Sequence, residues 1–535
     1  MDALTPLGFL ERASSYFGDR TAVVDGEKHL TYAQLHQRCL RLAGALRDRG
    51  IDAGDRVAVI SPNSLALLEA HDGVPRAGGV LVAINARLSA QEIAAILDHS
   101  EPRLVVIHDR VANTAARAIA RTRLAPQELH AGGGSDTYEA ALEVASPWSR
   151  FPTSDSDLLS INYTSGTTGR PKGVMYSHRG AFLQALAMSY HARLGPDSTF
   201  LWTLPMFHCN GWCFPWAVTG SGGRHIVIER PEPEATWRLI AEEDVTHFNC
   251  APTVLGDLLG SPAARRPQAR RLRVAVGGSP PSPTLLSRAD EFGIDVTHLY
   301  GLTETYGPAV ICDWQPEWDA LPPLERARLK SRQGIANIVT ASVRVLGPDD
   351  TDVSADGKSV GEIAIKGDNV MLGYYRDEEA TAKAIPDGWF RSGDLGVRHP
   401  DGYIELTDRA KDVIISGGEN IASVEVERVI ASHPDVLDVA VVAAPHARWG
   451  EVPVAYIALR PGSTTSDEDI SAFLRERIAH FKVPKRYVRA PIQRTSTGKV
   501  QKHVLRADAS ARWPADAWST SAFTGSGEAL DSEPD

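Results

Sequence analysis

The sequence predicts an α/β protein, and two patterns carry that expectation: helices alternating with short all-apolar strands, then a change to brief strands set between Asp/Gly turns. Leu35, Cys39, Leu42 and Leu46 are spaced four, three and four apart, which sets them on one face of a helix. A turn at Gly50 and Gly54 leads into residues 56–60 (RVAVI), a β-branched run that reads as a buried strand. The same grammar recurs in residues 78–85 (GGVLVAIN) and 103–107 (RLVVI). Strands that are apolar along their whole length, with helices between them, argue for a parallel sheet covered on both faces. A second such run spans about 155–300, with strands at 225–229 (HIVIE) and 273–278 (RVAVGG).

After about residue 335 the pattern changes. Residues 342–347 (SVRVLG), 360–367 (VGEIAIKG) and 402–409 (GYIELTDR) are short strands between Asp/Gly turns and read as antiparallel. Residues 412–421 (DVIISGGENI), an amphipathic helix from Ser423 and the apolar run 436–445 (VLDVAVVAAP) predict a small α+β domain ending near 510. Residues 511–535 are rich in Ser, Gly, Pro and acid, the composition of a loose tail.

A chain of 535 residues corresponds to roughly three to five packing units. Its 43% apolar and 23% charged residues are ordinary for a globular protein, which excludes disorder throughout, collagen and a mini-protein. Lys plus Arg number 56 against 67 Asp plus Glu, a net charge of −11, and no long basic block is present. Nucleic acid is therefore not an expected partner, because such binding rests on phosphate neutralisation. The five cysteines, Cys39, Cys209, Cys213, Cys250 and Cys312, are scattered and read as reduced thiols. The spacing of Cys209 and Cys213 beside His208 suits neither a redox pair nor a zinc site. No run of 18 apolar residues occurs and the N-terminus is too acidic and polar for a signal peptide, so a cytoplasmic protein without a membrane span is expected.

The strongest local signal is residues 161–174 (INYTSGTTGRPKGV). Thr164, Ser165, Thr167 and Thr168 supply hydroxyls, Gly166, Gly169 and Gly173 let the backbone curl, and Lys172 adds a cation. Consecutive N–H groups in such a loop form a concave anion site suited to a polyphosphate. It is not a Walker A loop, since no Gly-Lys-Ser/Thr follows. Residues 357–361 (GKSVG) fit the GxSxG pattern, but Ser359 falls in an Asp/Gly turn before a strand and not in a strand-to-helix elbow, so it is not read as a nucleophile.

The 161–174 segment resembles the signature of the adenylate-forming superfamily of acyl-CoA synthetases, peptide-synthetase adenylation domains and luciferases. Further motifs follow in the family's order: 205–212 (PMFHCNGW), 277–283 (GGSPPSP), 300–305 (YGLTET), 392–395 (SGDL), 408–421 (DRAKDVIISGGENI) and 495–502 (TSTGKVQK). The resemblance runs from about residue 8 to 507. It implies a large N-terminal domain of parallel-sheet αβ layers (1–410) with a small β-barrel-like subdomain, and a small mobile α+β C-terminal domain (411–510).

The resemblance also implies roles. The ATP site takes Thr164, Ser165, Gly166, Thr167, Thr168, Gly169 and Lys172, with Gly278, Ser279 and Pro280 along the adenine. Tyr300 stacks on the adenine with Gly301 beside it, Thr303 bonds the α-phosphate, Asp394 accepts from the ribose with Arg409 nearby, and Glu304 helps hold Mg²⁺. Lys499 is the catalytic lysine bridging carboxylate and α-phosphate oxygens, in a loop that departs from the family by having Ile492-Gln493-Arg494 before it. Lys411 matches the hinge, Gly417 and Gly418 the glycines past which the pantetheine of CoA runs, and His208 and Trp212 the acyl pocket and its gate. Joining two anions demands charge neutralisation and alignment, and these residue types supply both.

The activity this implies is an ATP- and Mg²⁺-dependent ligase that converts a medium-chain aliphatic or aromatic carboxylic acid to its acyl-AMP and transfers the acyl group to CoA. Its partners are then the acid, ATP and CoA, with a homodimer left open. The alternative is a stand-alone adenylating enzyme with another acceptor: a carrier protein, or an aryl amine diazotised through activated nitrite.

Overall fold

A computed structural model describes residues 3–134, 136–164, 171–266, 272–409, 412–416, 419–495, 500–515 and 518, the side chains of Arg409 and Asn420 excepted. The chain forms two compact units, one ending at Leu406 and the other starting at Thr407.

The first unit is built on two large sheets and one small one. In the nine-stranded sheet, Thr21–Asp25, Arg224–Val227, Thr199–Leu201, His247–Cys250, Leu272–Val276 and Ile294–Leu302 run parallel. Antiparallel strands close both edges. In the seven-stranded sheet, Leu158–Thr164, Val80–Asn85, Arg56–Ser61, Leu104–His108 and Gln127–Ala131 run parallel, and Lys172–Ser177 folds back antiparallel on the first of them. The parallel strands are buried along nearly their whole length, as the continuous apolar runs require.

Local sequence places the helices. Tyr32–Asp48 starts at Thr31, whose hydroxyl and the Gln34 side chain form a capping box, and it buries Leu35, Cys39, Leu42 and Leu46. The small sheet takes Ser342–Leu346, Val360–Lys366, Phe390–Arg398 and Ile404–Arg409 in that order, antiparallel across its first three strands. Ser359 sits in the turn before the second of these, its N–H and hydroxyl both donating to Asp356 (2.7 and 2.8 Å), which is turn chemistry and not a nucleophile elbow. All five cysteines are buried and none forms a disulfide. Among the described residues no helix is long and apolar enough to cross a membrane.

The second unit is an α+β layer. The strands Val436–His446 and Gly450–Leu459 pair antiparallel over their length, and Arg486–Arg489 adds in parallel. Val439 and Val441 pack with Val426, Ile430 and Leu474 on one face, while Ala440 and Val442 pack with Leu505 and Ala509 on the other. Apolar residues at both parities are what a doubly covered strand needs. The helix Lys502–Arg512 runs just past residue 510, and beyond it the Trp518 indole donates to the Pro445 carbonyl at 2.7 Å. The rest of the expected tail lies outside the described residues.

Four buried histidines make the first unit sensitive to acid. The Trp202 indole donates to His225 Nδ1 at 3.1 Å and His225 Nε2 lies 3.1 Å from the Thr219 hydroxyl, a pattern that needs the neutral ring. Burial lowers the pKa of His225 to about 3 and those of His71, His178 and His247 to about 4, from an ordinary value of 6.5. Between those values the unfolded chain binds more protons than the folded one, so stability is lost as pH falls through 6.5 towards 4. The urea midpoint is expected to fall between about pH 7.5 and about pH 5, and less steeply in His225→Gln. Equal slopes in the two proteins would remove His225 from that account.

Candidate active site

Thr164 and Tyr300 lie towards the carboxyl ends of strands that run parallel in the two large sheets, where open α/β sheets place their ligands. Leu158–Thr164 and Lys172–Ser177 form a hairpin in which Thr164 and Lys172 are register partners. The two ends of the hydroxyl- and glycine-rich segment therefore lie side by side. Ser165, Gly166, Thr167, Thr168 and Gly169 between them lie outside the described residues, as do Lys411, Gly417, Gly418 and Lys499, and so does the side chain of Arg409.

Lys172 is joined to Glu304 through a residue that sequence reasoning passed over. The Lys172 ammonium stands 4.5 Å from the centroid of the Tyr374 ring, and the Tyr374 hydroxyl donates to Glu304 Oε1 at 2.9 Å. Burial, and after it the Glu304 charge, raises the phenol's pKa, so the proton stays on oxygen and the bond keeps its direction. A cation over a ring contributes about 0.5–2 kcal/mol and a hydrogen bond to a charged group about 1.5–3 kcal/mol. The backbone braces the same group. Tyr374 pairs with Val174, and the Met371 N–H donates to the Glu304 carbonyl at 2.8 Å. A Gly-Tyr-Tyr run carries no signal for any of this.

Tyr300 and Asp394 come together as well. The Tyr300 hydroxyl donates to Asp394 Oδ2 at 2.8 Å, and Asp394 is 1% exposed on the strand Phe390–Arg398. Gly301 has a hard steric reason: a Cβ there would sit 1.8 Å from the Gly307 carbonyl oxygen. Thr303 opens a short 3₁₀ turn, its carbonyl accepting from Tyr176 at 2.6 Å and its hydroxyl 3.3 Å from Cys209 Sγ. Burial pushes the Cys209 thiol up to about 12, so it stays neutral. Gly278, Ser279 and Pro280 form the loop between Leu272–Val276 and the Ser282-capped helix Pro283–Glu291.

The segment after His208 is conformationally unusual. Cys209, Asn210, Gly211, Trp212 and Cys213 all have positive φ (49°, 42°, 54°, 57° and 64°), a single left-handed turn closed by Gly211 N–H to the His208 carbonyl (2.8 Å) and Cys213 N–H to the Asn210 carbonyl (3.0 Å). For residues with a Cβ this costs roughly 1–2 kcal/mol each. The turn is nevertheless well clamped. Asn210 is fully buried and exchanges hydrogen bonds with Asn162, its N–H donating to Asn162 Oδ1 (3.0 Å) and its Oδ1 accepting from Asn162 Nδ2 (2.5 Å) and Ser160 (2.6 Å). Trp212, 6% exposed, lies against two glycines: a Cβ on Gly277 or on Gly307 would come within 2.9 Å of the indole. Neither Asn162 nor Asn210 carries a sequence signal, because a polar residue in a strand or loop has many commoner uses.

On the same unit a cavity of about 310 Å³ lies beside the sheet, with Phe214, Leu299 and Ala275 among its apolar residues and His247, Arg273 and Asp295 among its polar ones. In the second unit, Asp408 accepts from Ser423 N–H and from its hydroxyl (3.0 Å), and Lys502 reaches Ser423 Oγ (2.6 Å) and Glu427 (2.7 Å). This anchors the start of the helix Lys502–Arg512 within its own unit.

Comparison with known proteins agrees along the chain. Residues 10–375 match the family model of the AMP-binding enzymes, and residues 425–499 match the AMP-binding enzyme C-terminal domain. The chain is 43% identical to an acetate–CoA ligase from Humulus lupulus over 95% of each protein. It is 41% identical to an acetate/butyrate–CoA ligase of Arabidopsis thaliana, described as peroxisomal, over 96% of this chain and 95% of that one. Among solved structures, ATP-bound MatB from Rhodopseudomonas palustris matches with a TM-score of 0.83 at 28% identity, covering 94% of this chain and 98% of the other.

The Gly301 contact yields a direct expectation. Gly301→Ala drives a methyl into the Gly307 carbonyl and is expected to cost about 3 kcal/mol or more in urea unfolding. Gly8→Ala, in the first helix where nothing lies within 4 Å of the new carbon, is the control and is expected to be neutral or slightly stabilising. Equal midpoints for the two variants would show that the Gly301 backbone yields.

Proposed function

The chain belongs to the AMP-binding enzyme family, and from that premise we propose that it is an AMP-forming acid–thiol ligase acting on a short- to medium-chain aliphatic acid, with CoA as the acceptor. The carboxylate attacks the α-phosphate of ATP and expels pyrophosphate to give the acyl-AMP. The CoA thiolate then attacks the acyl carbon and AMP leaves. The observation that carries the reading is the convergence of Lys172, Tyr374 and Glu304 with Thr303 and the Tyr300–Asp394 pair around the strand ends.

Each group has a task of matching chemistry. Thr164 and Lys172, with the residues between them, cradle the polyphosphate, and Tyr300 and Asp394 offer a ring and a buried carboxylate to the nucleoside. The Thr303 hydroxyl donates to the α-phosphate. Glu304 would hold Mg²⁺, a hard ion that binds nucleotides through one or two carboxylates plus phosphate oxygens. When bound, Mg²⁺ neutralises phosphate charge. Lys499 is the cation proposed to stabilise the charge developing between carboxylate and α-phosphate, an effect of about 3–4 kcal/mol in a dry site. Lys411 as a hinge, Gly417 and Gly418 beside the pantetheine, and Arg409 near the ribose stand on the family motifs alone.

The preference for a small acid rests on Trp212. Its indole is wedged between Gly277 and Gly307, a bulky ring held at the position of the proposed gate next to His208. The cavity that Phe214 lines carries Arg273 and Asp295, groups that do not suit an apolar chain. The relatives named for acetate and butyrate support the same range. An apolar pocket gains or loses about 1–3 kcal/mol per methylene, so the profile over a homologous series should peak sharply.

The test follows AMP, pyrophosphate and thioester by mass spectrometry with ATP, CoA and straight-chain acids of increasing length. CoA-dependent AMP release with a short-acid optimum is expected. AMP release without any use of CoA would move the acceptor elsewhere. Lys499→Ala is expected to lower the adenylation rate by about 10²–10³. Tyr374→Phe keeps the ring beneath Lys172 and removes only the hydroxyl. It is expected to raise the Mg²⁺·ATP concentration needed for half-maximal rate by about tenfold or more, with little change in the KM of the acid.

A further inference from the structure

The strand that feeds the phosphate segment also holds the acid pocket in shape. We propose that Asn162 is a positioning residue for acid selection: locked to Asn210, it keeps the left-handed turn 209–213 in place and with it the Trp212 wall. The inference rests on the pocket reading above and extends it to a residue on another element.

Ser160 and Asn162 are two apart on Leu158–Thr164, so both side chains project from one face of the strand. They are 0% and 2% exposed and converge on Asn210, itself 0% exposed. The Asn210 amide is held in one orientation, because its oxygen accepts from both Ser160 and Asn162, and turning it over would set two N–H₂ groups face to face. The Asn210 backbone N–H is held as well, by Asn162 Oδ1. Three buried hydrogen bonds thus fasten the second residue of a turn in which only Gly211 lacks a Cβ. Strained backbone of this kind persists only where its surroundings over-determine it.

Two residues along the strand from this lock stands Thr164, the register partner of Lys172. The Trp212 wall, two residues along the turn from Asn210, presses on Gly277 and Gly307. Loss of the lock lets the turn relax towards ordinary φ and withdraws the indole, which deepens the acid pocket while the hairpin that carries Thr164 and Lys172 keeps its own ladder.

The experiment compares wild type with Asn162→Ala, Asn210→Gly and the double variant. Glycine occupies positive φ without strain, so Asn210→Gly relieves position 210 and removes the side-chain half of the lock, leaving the backbone N–H bond to Asn162. In Asn162→Ala the KM of the best short acid should rise about tenfold and the optimum should move to longer acids, with the KM of ATP within about twofold of wild type. In the Asn210→Gly background the same substitution should have a clearly smaller effect, since only the bond from the residue 210 backbone N–H to Asn162 Oδ1 is then left to lose. Urea unfolding supplies a second readout that needs no turnover: Asn162→Ala should lower the midpoint in the Asn210 protein and lower it by clearly less in Asn210→Gly. A parallel rise in both KM values, or full additivity of the two substitutions, would overturn the lock. A wild type that adenylates no acid would overturn the ligase reading, and the unfolding cycle would then decide the lock by itself.

Discussion

Five successive residues at positive φ, Cys209 to Cys213, are the constraint around which the rest of the site is arranged. Four of them carry a Cβ, and at roughly 1–2 kcal/mol each the turn costs an amount comparable with the net stability of a typical domain, about 5–15 kcal/mol. Such a conformation survives because side chains along it are held by other elements. Asn210 is tied to Asn162 and Ser160, and Cys209 meets Thr303. Trp212 fits between two glycines, and Cys213 Sγ lies 3.9 Å from the Tyr306 carbonyl. Even Gly211 is forced, since a Cβ would come within 2.8 Å of the Trp202 ring. A left-handed turn faces its side chains in directions that no right-handed turn of the same length provides. Here those directions reach the strand of the phosphate segment, the 3₁₀ turn of Thr303, and Gly277 and Gly307.

Electrostatics follows the same economy. The whole chain is net negative, yet the site must receive a polyphosphate and a carboxylate. Lys172 answers this locally, and its placement over the Tyr374 ring orients it. Tyr374 then spends its hydroxyl on Glu304, so one ring orients a cation on its face and an anion at its edge. Opposite charges are held apart by a neutral phenol, and both remain available to ligands of opposite sign.

Much of this architecture is legible in the sequence because it depends on composition over several residues. The continuous apolar runs at 56–60, 78–85 and 103–107 correspond to Arg56–Ser61, Val80–Asn85 and Leu104–His108, each within two residues at its ends. The helix through Leu35 and Leu46 is there with the capping residues its start requires. Motif residues far apart in the chain come together through direct contacts, Tyr300 with Asp394 and, through Tyr374, Lys172 with Glu304. What the sequence hides is contact between single residues. Asn162, Asn210 and Tyr374 are ordinary in composition and acquire meaning only through partners 48 or 70 residues away. Positive φ at Cys209 or Trp212 is equally hidden, since local preference alone assigns those residues elsewhere.

Both large sheets reverse direction at the site, and that reversal has a mechanical consequence. A parallel crossover would carry the chain away through a dozen residues or more before it returned. Leu158–Thr164 instead folds back as Lys172–Ser177, and Ile294–Leu302 as Gly307–Ile311, so each segment expected to touch nucleotide is pinned on both sides by strand pairing. Close return demands small residues where backbones cross, which is why Gly301 meets the Gly307 carbonyl with no room for a methyl. The next strands out complete the brace, with Gly373–Tyr374 on one sheet and Ile335–Ala336 on the other. A site built on hairpin returns is rigid in the strand direction and yields first at its turns. On the reading proposed above, selectivity for the acid would be governed by the element with the least regular hydrogen bonding, the left-handed turn, and by the buried amide pair that holds it.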